Sequence, residues 1–165
     1  MERGRDFLRA QLDNCVMQHR MLIENLEAHE KQAEDERYRS LCTRSIPRLH
    51  EHQRMLEEYQ ATLGDPGGGG MKEALGDLLG KARNAVDASR ESDFLRIVGD
   101  VVAIRQSQDT FATFAAAGEQ LGEPRLAEIG RTGEGDHDEM QREFNQLVRQ
   151  LFIEHAQTQA ASGVR

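Results

Sequence analysis

Apolar residues recur at steps of three or four positions through four long segments of this chain. The stripe of the last segment consists of Leu126, Ile129, Gly133, His137, Met140, Phe144, Leu147, Leu151 and His155. This is the 3.6-residue period of a helix that buries one face. Gly130, Gly133 and Gly135 interrupt it, which predicts either a locally weak, wet helix or a level where polar groups from several helices meet. We therefore predict an all-α protein.

Composition supports a single soluble helical domain. The chain has 165 residues, only 5% of them aromatic, with three prolines and no tryptophan. Its net charge of −8 argues against nonspecific binding to nucleic acid and to anionic membranes. No apolar run approaches the roughly 18 residues of a membrane span, and the N-terminal sequence lacks signal-peptide features. We expect a cytoplasmic protein in which Cys15 and Cys42, on apolar stripes without CxxC spacing, are buried free thiols.

Capping residues, glycines and prolines divide the apolar pattern into five predicted helices. They run over about residues 5–31, 35–63, 71–89, 93–121 and 124–157, with a frayed tail at 158–165. Asp35 and either Ser92 or Asp93 are suitable N-caps. The stretch GDPGGGG at 64–70 cannot continue a helix and predicts a flexible loop. Tight turns within each long pair force antiparallel neighbours. The expected architecture is an antiparallel four-helix bundle of two helical hairpins, with one extra short helix after the Gly-rich loop.

Each long helix carries a polar residue on its apolar stripe near mid-length. If the hairpins pack antiparallel, His19, His52, Gln108 and His137 meet at one level, with Glu134 one turn before His137. Three imidazoles and a carboxylate suit zinc, iron or copper. The candidate metal ligands are His19, His52, Glu134 and His137. Two alternatives stay open: the histidines hydrogen-bond one another, Gln108 or trapped water in the core, or one or two of them face solvent.

Two further histidines lie near helix ends. His29 belongs to the last turn of the first helix, and His155 to the last turn of the final helix. An imidazolium at a helix C-terminus is favoured by the helix dipole, so we expect no more than a local role for either.

The sequence resembles the ferritin-like superfamily and, within it, the YciE/YciF branch of bacterial stress-associated proteins. The resemblance covers nearly the whole chain and rests on the helix order and on three local stretches. These are Arg48–Leu63 (RLHEHQRMLEEYQATL), Phe111–Gly122 (FATFAAAGEQLG) and the segment around Asp136. It implies a ferritin-like bundle whose relatives hold two irons with a Glu on each of two helices and Glu-x-x-His on the other two.

The residues depart from that ligand set. Glu134 to His137 is the only Glu-x-x-His in the chain. Where the resemblance implies Glu and His on the third helix, the sequence has Ile104, Arg105, Ser107 and Gln108. An arginine near the site and a missing bridging carboxylate both disfavour a pair of cations. We expect no working diiron centre.

The leading functional interpretation is a non-catalytic ferritin-like protein, stress-associated by resemblance, that acts as a homodimer or through a protein partner. The alternative is a ferritin-like protein that holds iron or zinc at a His-rich site in the bundle core. A third interpretation is a small-ligand pocket between helices. No Gly-x-Ser-x-Gly motif is present, and the cysteines are expected to be buried, so we do not expect nucleophilic catalysis.

Overall fold

The chain was analysed as a computed structural model that describes residues 2–64 and 92–162. Within those ranges it forms four α-helices: α1 Glu2–Gln32, α2 Glu36–Thr62, α3 Asp93–Leu121 and α4 Pro124–Ser162. The prediction of an all-α four-helix architecture is confirmed. The predicted short helix at 71–89 and residues 65–70 of the predicted loop lie outside the described residues. None of the described helices is long and apolar enough to cross a bilayer.

Helix ends fall where side chains satisfy the exposed backbone groups. The Asp35 carboxylate accepts the N–H groups of Arg37 and Tyr38 and so caps α2, while Ser92 caps α3. Gly122 ends α3 at a φ of 68°, in the left-handed region that glycine adopts without strain. The last helix continues to Ser162 instead of fraying after about 157, because the sequence TQAAS at 158–162 contains neither glycine nor proline.

Contacts between the helices establish an antiparallel bundle. Short turns at 33–35 and 122–123 join α1 to α2 and α3 to α4. His29 contacts Asp100 and His19 packs against Phe111, so α1 and α3 run in opposite directions. The ion pairs between α2 and α4 also progress in opposite directions: Arg48–Glu139, Arg44–Glu143 and Arg37–Glu154. The helices are therefore arranged in the order α1, α2, α4, α3 around the bundle, each antiparallel to both of its neighbours.

Two apolar clusters fill the bundle above and below its middle. The first is centred on Leu22, Leu26, Tyr38, Leu49, Ile97, Ile104, Met140 and Phe144. The second is centred on Leu12, Cys15, Leu56, Tyr59, Phe111, Leu126 and Ile129. Along α1, α2 and α4 a histidine occupies the position where one cluster gives way to the other. Cys15 and Cys42 are both free and buried, as the sequence predicted.

Glycines allow α3 and α4 to approach closely. A Cβ atom at Gly130 would lie 2.1 Å from the backbone nitrogen of Ala115, and one at Gly133 would lie 2.3 Å from Cδ1 of Phe111. Real carbon atoms do not approach to these distances, so only a residue without a side chain fits. The contact presses the ring of Phe111 against α4 one turn before His137. These two glycines are therefore packing positions and not a local weakness of the helix.

Candidate metal centre

The structure brings three of the four predicted ligands together. His19, His52 and His137 are each at most 2% exposed, and each offers a ring nitrogen within 4.8 Å of the other two. They come from α1, α2 and α4, so the group joins both hairpins. In the part of the chain that the structure describes, no other set of three His, Cys, Asp or Glu residues gathers its donor atoms in this way. We call these three residues the histidine cluster.

Glu134, the fourth predicted ligand, is not part of the histidine cluster. Its side chain is only half-buried, whereas Gly133 and His137 are buried. One residue turns an α-helix by about 100°, so Glu134 is rotated away from the face that Gly133 and His137 share. Gln108 on α3 is likewise half-buried, and its amide nitrogen donates to Asp138 at 3.3 Å. The third helix instead contributes the apolar ring of Phe111.

Each ring of the histidine cluster is held by one hydrogen bond to a partner outside it. The bonds are His19 Nδ1 to Gln53 Oε1 at 3.1 Å, His52 Nε2 to Asp136 Oδ2 at 2.8 Å, and His137 Nδ1 to the Gly133 carbonyl oxygen at 2.7 Å. All three acceptors are oxygens, so the bonded nitrogen of each ring carries the hydrogen. The remaining nitrogens, Nε2 of His19, Nδ1 of His52 and Nε2 of His137, are buried without a hydrogen-bond partner.

Gln53 and Asp136 are the orienting residues that the sequence analysis did not assign. The Gln53 amide nitrogen donates to Glu57 at 2.7 Å, which fixes the amide with its oxygen toward His19. Asp136 is half-buried and lies on α4, which is a neighbour of the helix that carries His52. Each directly adjoins a predicted ligand in the sequence, Gln53 following His52 and Asp136 preceding His137. That adjacency was the available signal, but it did not reveal which ring each one contacts.

The cluster is neutral at physiological pH. Burial, together with the nearby His137 and His52, lowers the pKa of His19 to about 3. Burial and the adjacent His52 lower the pKa of His137 to about 4. Burial also lowers the pKa of His52, although the hydrogen bond that its ring donates to Asp136 opposes the shift. Each imidazole therefore keeps a lone pair on its unpartnered nitrogen, and three such lone pairs form a donor set for one metal ion.

The low pKa values predict that the metal-free protein loses stability in mild acid. Below the ordinary histidine pKa of 6.5, the unfolded chain takes up protons that His19 and His137 cannot bind while folded. Stability should fall by roughly 1.4 kcal/mol per pH unit for each of the two histidines, between pH 6.5 and about 4. Urea denaturation in EDTA at pH 7, 6 and 5 measures this slope, and unchanged stability from pH 6.5 to 5 would contradict it.

The residues at this level do not fit a pair of irons. A diiron centre needs carboxylates that bridge the two ions and balance their charge. The histidine cluster contains no carboxylate, and the neighbouring inward positions Leu49 and Ile104 are fully buried apolar residues. The three imidazoles would serve a single ion instead.

A second buried polar cluster lies nearer the end of the bundle. His29 Nδ1 donates to Asp100 at 3.0 Å, and the Tyr38 hydroxyl donates to the same carboxylate at 2.5 Å. All three residues are buried. The prediction of a merely local role for His29 is therefore wrong, because the last turn of α1 packs against the first turns of α3. Asp100 was missed by the sequence analysis, although it lies between Ile97 and Ile104 at helical spacing.

A cleft between α1 and α3 reaches the edge of the histidine cluster. Its volume is about 190 Å³, and its lining includes Cys15, His19, Ser107 and Thr110. Sites for drug-sized ligands usually measure about 300–1,000 Å³. The cleft is therefore smaller than a site for a drug-sized ligand and has room for water or a very small molecule.

Comparison with known proteins establishes the fold. No protein-family model matches the sequence, and no curated protein matches it. The chain is similar to the crystal structure of a two-domain protein from Anabaena variabilis that contains DJ-1/ThiJ/PfpI-like and ferritin-like domains. The TM-score is 0.65 at 16% sequence identity, and the match covers 90% of this chain and 37% of that one. At this identity the likeness shows the fold alone, and the described helices form a ferritin-like four-helix bundle.

Proposed function

We propose that this ferritin-like bundle binds one metal ion through His19, His52 and His137. The observation that carries the proposal is that three buried histidines bring ring nitrogens within 4.8 Å of one another. Each ring donates one N–H to a partner outside the cluster, and its other nitrogen has no partner. Histidines that ligate metals usually donate their second ring N–H to a carboxylate or a backbone carbonyl. His52 and His137 have these two kinds of partner. A stress-associated role rests on the YciE/YciF resemblance alone and is part of the same proposal.

Hydrogen bonding within the core is a weaker explanation of the cluster. Histidines that serve only the fold are expected to use both ring nitrogens, since a buried polar atom without a partner costs about 1–3 kcal/mol. Here each of the three rings has one such atom. The three histidines are not hydrogen-bonded to one another, and Gln108 donates to Asp138 instead of to them. A bound metal ion would satisfy all three nitrogens at once.

Removing one ring from the cluster should abolish tight metal binding. The test is metal titration of the full chain with Zn(II), Fe(II) and Cu(I), with elemental analysis after desalting. We expect about one equivalent per chain, and at least a 100-fold lower affinity in His52→Ala, because losing a direct ligand should exceed the 10–100-fold cost of losing a supporting residue. The thermal midpoint should rise with saturating metal in the wild type only.

His50→Ala is the matched control for this experiment. His50 lies two positions from His52 on the same helix, but it is exposed and contacts Glu27 at 2.9 Å. Its removal should leave both the stoichiometry and the affinity unchanged. Equal binding by wild type and His52→Ala, or the absence of stoichiometric metal in the wild type, would refute the proposal.

We also propose that the protein self-associates as a homodimer, because large apolar side chains are exposed near the start of α3 and the end of α4. Leu95, Phe152 and Ile153 are 46%, 62% and 54% exposed, and the ring of Phe152 lies tilted against that of Phe94 with 6.2 Å between ring centres. A second copy of the chain would remove this patch from water.

Phe152→Glu should convert the dimer to a monomer in light-scattering measurements, because it places a charge in the apolar patch. Phe7→Glu, at an exposed position on α1, should leave the mass unchanged. A wild-type monomer at all concentrations would exclude self-association.

A further inference from the structure

We infer that the histidine cluster selects monovalent copper, Cu(I), over zinc and iron. The inference rests on the proposed metal binding and adds the identity and coordination number of the ion. It follows from two features of the site: the group that occupies its fourth corner, and the charge of its ligands.

Four aromatic rings surround the centre of the site in a nearly regular tetrahedron. The six distances between the ring centres of His19, His52, His137 and Phe111 all lie between 5.0 and 5.9 Å. Four points at nearly equal mutual distances can only form a tetrahedron. Each histidine places a ring nitrogen within 4.8 Å of one on each of the other two, which is shorter than the 5.1–5.9 Å between their ring centres.

Phe111 closes the corner where a fourth ligand would stand. Its side chain is fully buried, and the backbone of Gly133 leaves no room behind it, since even a Cβ there would lie 2.3 Å from the ring. A phenyl ring offers no lone pair, and its position keeps water from that corner. Protein-bound Zn(II) is almost always four-coordinate, with a water in catalytic sites of three protein ligands. Cu(I) is stable with only three ligands, and imidazole is among the donors that suit copper.

The ligand charge favours an ion of charge +1. A histidine binds a metal ion as the neutral imidazole, so the three ligands bring no charge. Asp136 is the carboxylate bonded to a ring of the cluster. The energy of burying an ion rises with the square of its charge, so a monovalent ion pays about a quarter of the desolvation energy of a divalent one. Asp136, at the boundary with solvent, supplies one negative charge beside the site. It balances the charge of Cu(I), whereas Zn(II) or Fe(II) would bring one more positive charge into the core.

The experiment compares Cu(I) and Zn(II) affinities of the full chain without oxygen, using bicinchoninate as the Cu(I) competitor and a chromophoric chelator for Zn(II). We expect one Cu(I) per chain, bound at least tenfold more tightly than Zn(II), with three nitrogen neighbours and no sulfur by X-ray absorption. The Cys15→Ala/Cys42→Ala variant should bind Cu(I) equally well, which separates the cluster from the free thiols.

The outcomes distinguish this inference from the proposed function. Tighter binding of Zn(II), or a four-coordinate Cu(I) site, would overturn the copper inference while leaving the metal site intact. Binding of neither ion would overturn both. Phe111→Ala opens the fourth corner to water and should move the preference toward Zn(II) by at least tenfold, whereas Phe114→Ala, at another buried phenylalanine of α3, should not. If either variant fails to fold, the affinities and the coordination number of the wild type still test the preference for Cu(I) over Zn(II).

Discussion

Gly130→Ala should destabilise the protein by about 3 kcal/mol, at the upper end of what overpacking of a core usually costs. The added methyl group would lie 2.1 Å from the backbone nitrogen of Ala115 and 2.7 Å from the carbonyl oxygen of Phe111. Backbone atoms of a helix cannot rotate away as a side-chain end can, so α3 and α4 must separate. Urea denaturation followed by circular dichroism measures the loss.

Gly135→Ala provides the matched control on the same helix. A Cβ there meets no atom within 4 Å. Alanine is a better helix former than glycine by roughly 1 kcal/mol, so this variant should be more stable than the wild type. The two substitutions are chemically identical and should shift the denaturation midpoint in opposite directions. Equal shifts would mean that α3 and α4 do not pack as closely as the structure has them.

Asp100→Ala should cost about 2–6 kcal/mol, because it leaves two buried donors without an acceptor and each costs about 1–3 kcal/mol. Its carboxylate accepts from His29 at 3.0 Å and from the Tyr38 hydroxyl at 2.5 Å, and the substitution leaves both donors buried without a partner. The loss should exceed that of a cavity alone, because an unpaired buried donor retains its full desolvation penalty. Thermal and urea unfolding are the measurements.

Asp109→Ala tests whether burial causes the effect. Asp109 also lies on α3 and also accepts from a basic side chain, Arg105 at 3.2 Å, but it is exposed to solvent. Exposed pairs contribute about 0–1 kcal/mol. Comparable losses from the two aspartates would show that the Asp100 cluster is solvated and carries little of the stability.

Periodicity, together with the caps and turns between segments, predicted the four described helices. It also made the convergence of His19, His52 and His137 one of the alternatives. A residue on the apolar stripe of a helix must face the core, so three mid-stripe histidines in a short-looped bundle meet near one level. Asp100 obeys the same rule between Ile97 and Ile104 but was overlooked. The same periodicity could therefore have predicted that Asp100 is buried.

Other features of the site depend on distances between helices, which spacing within one helix does not contain. Phe111 occupies the fourth corner because Gly133 lets its ring approach α4, and only the packing of the two helices shows this. The partners of the rings, Gln53 and Asp136, are determined by side-chain direction as well as by helix face. Glu134 was predicted as a ligand because it forms Glu-x-x-His, yet its rotation about α4 places it at the boundary with solvent.

The buried polar contacts between the hairpins have a consequence for how the two halves align. His29 with Asp100 joins α1 to α3, and His52 with Asp136 joins α2 to α4, so each bond crosses from one hairpin to the other. Apolar stripes tolerate sliding by a helical turn of about 5.4 Å, since leucine can replace leucine. Such a slide would break both polar contacts together. These two contacts therefore allow only one register of one hairpin against the other.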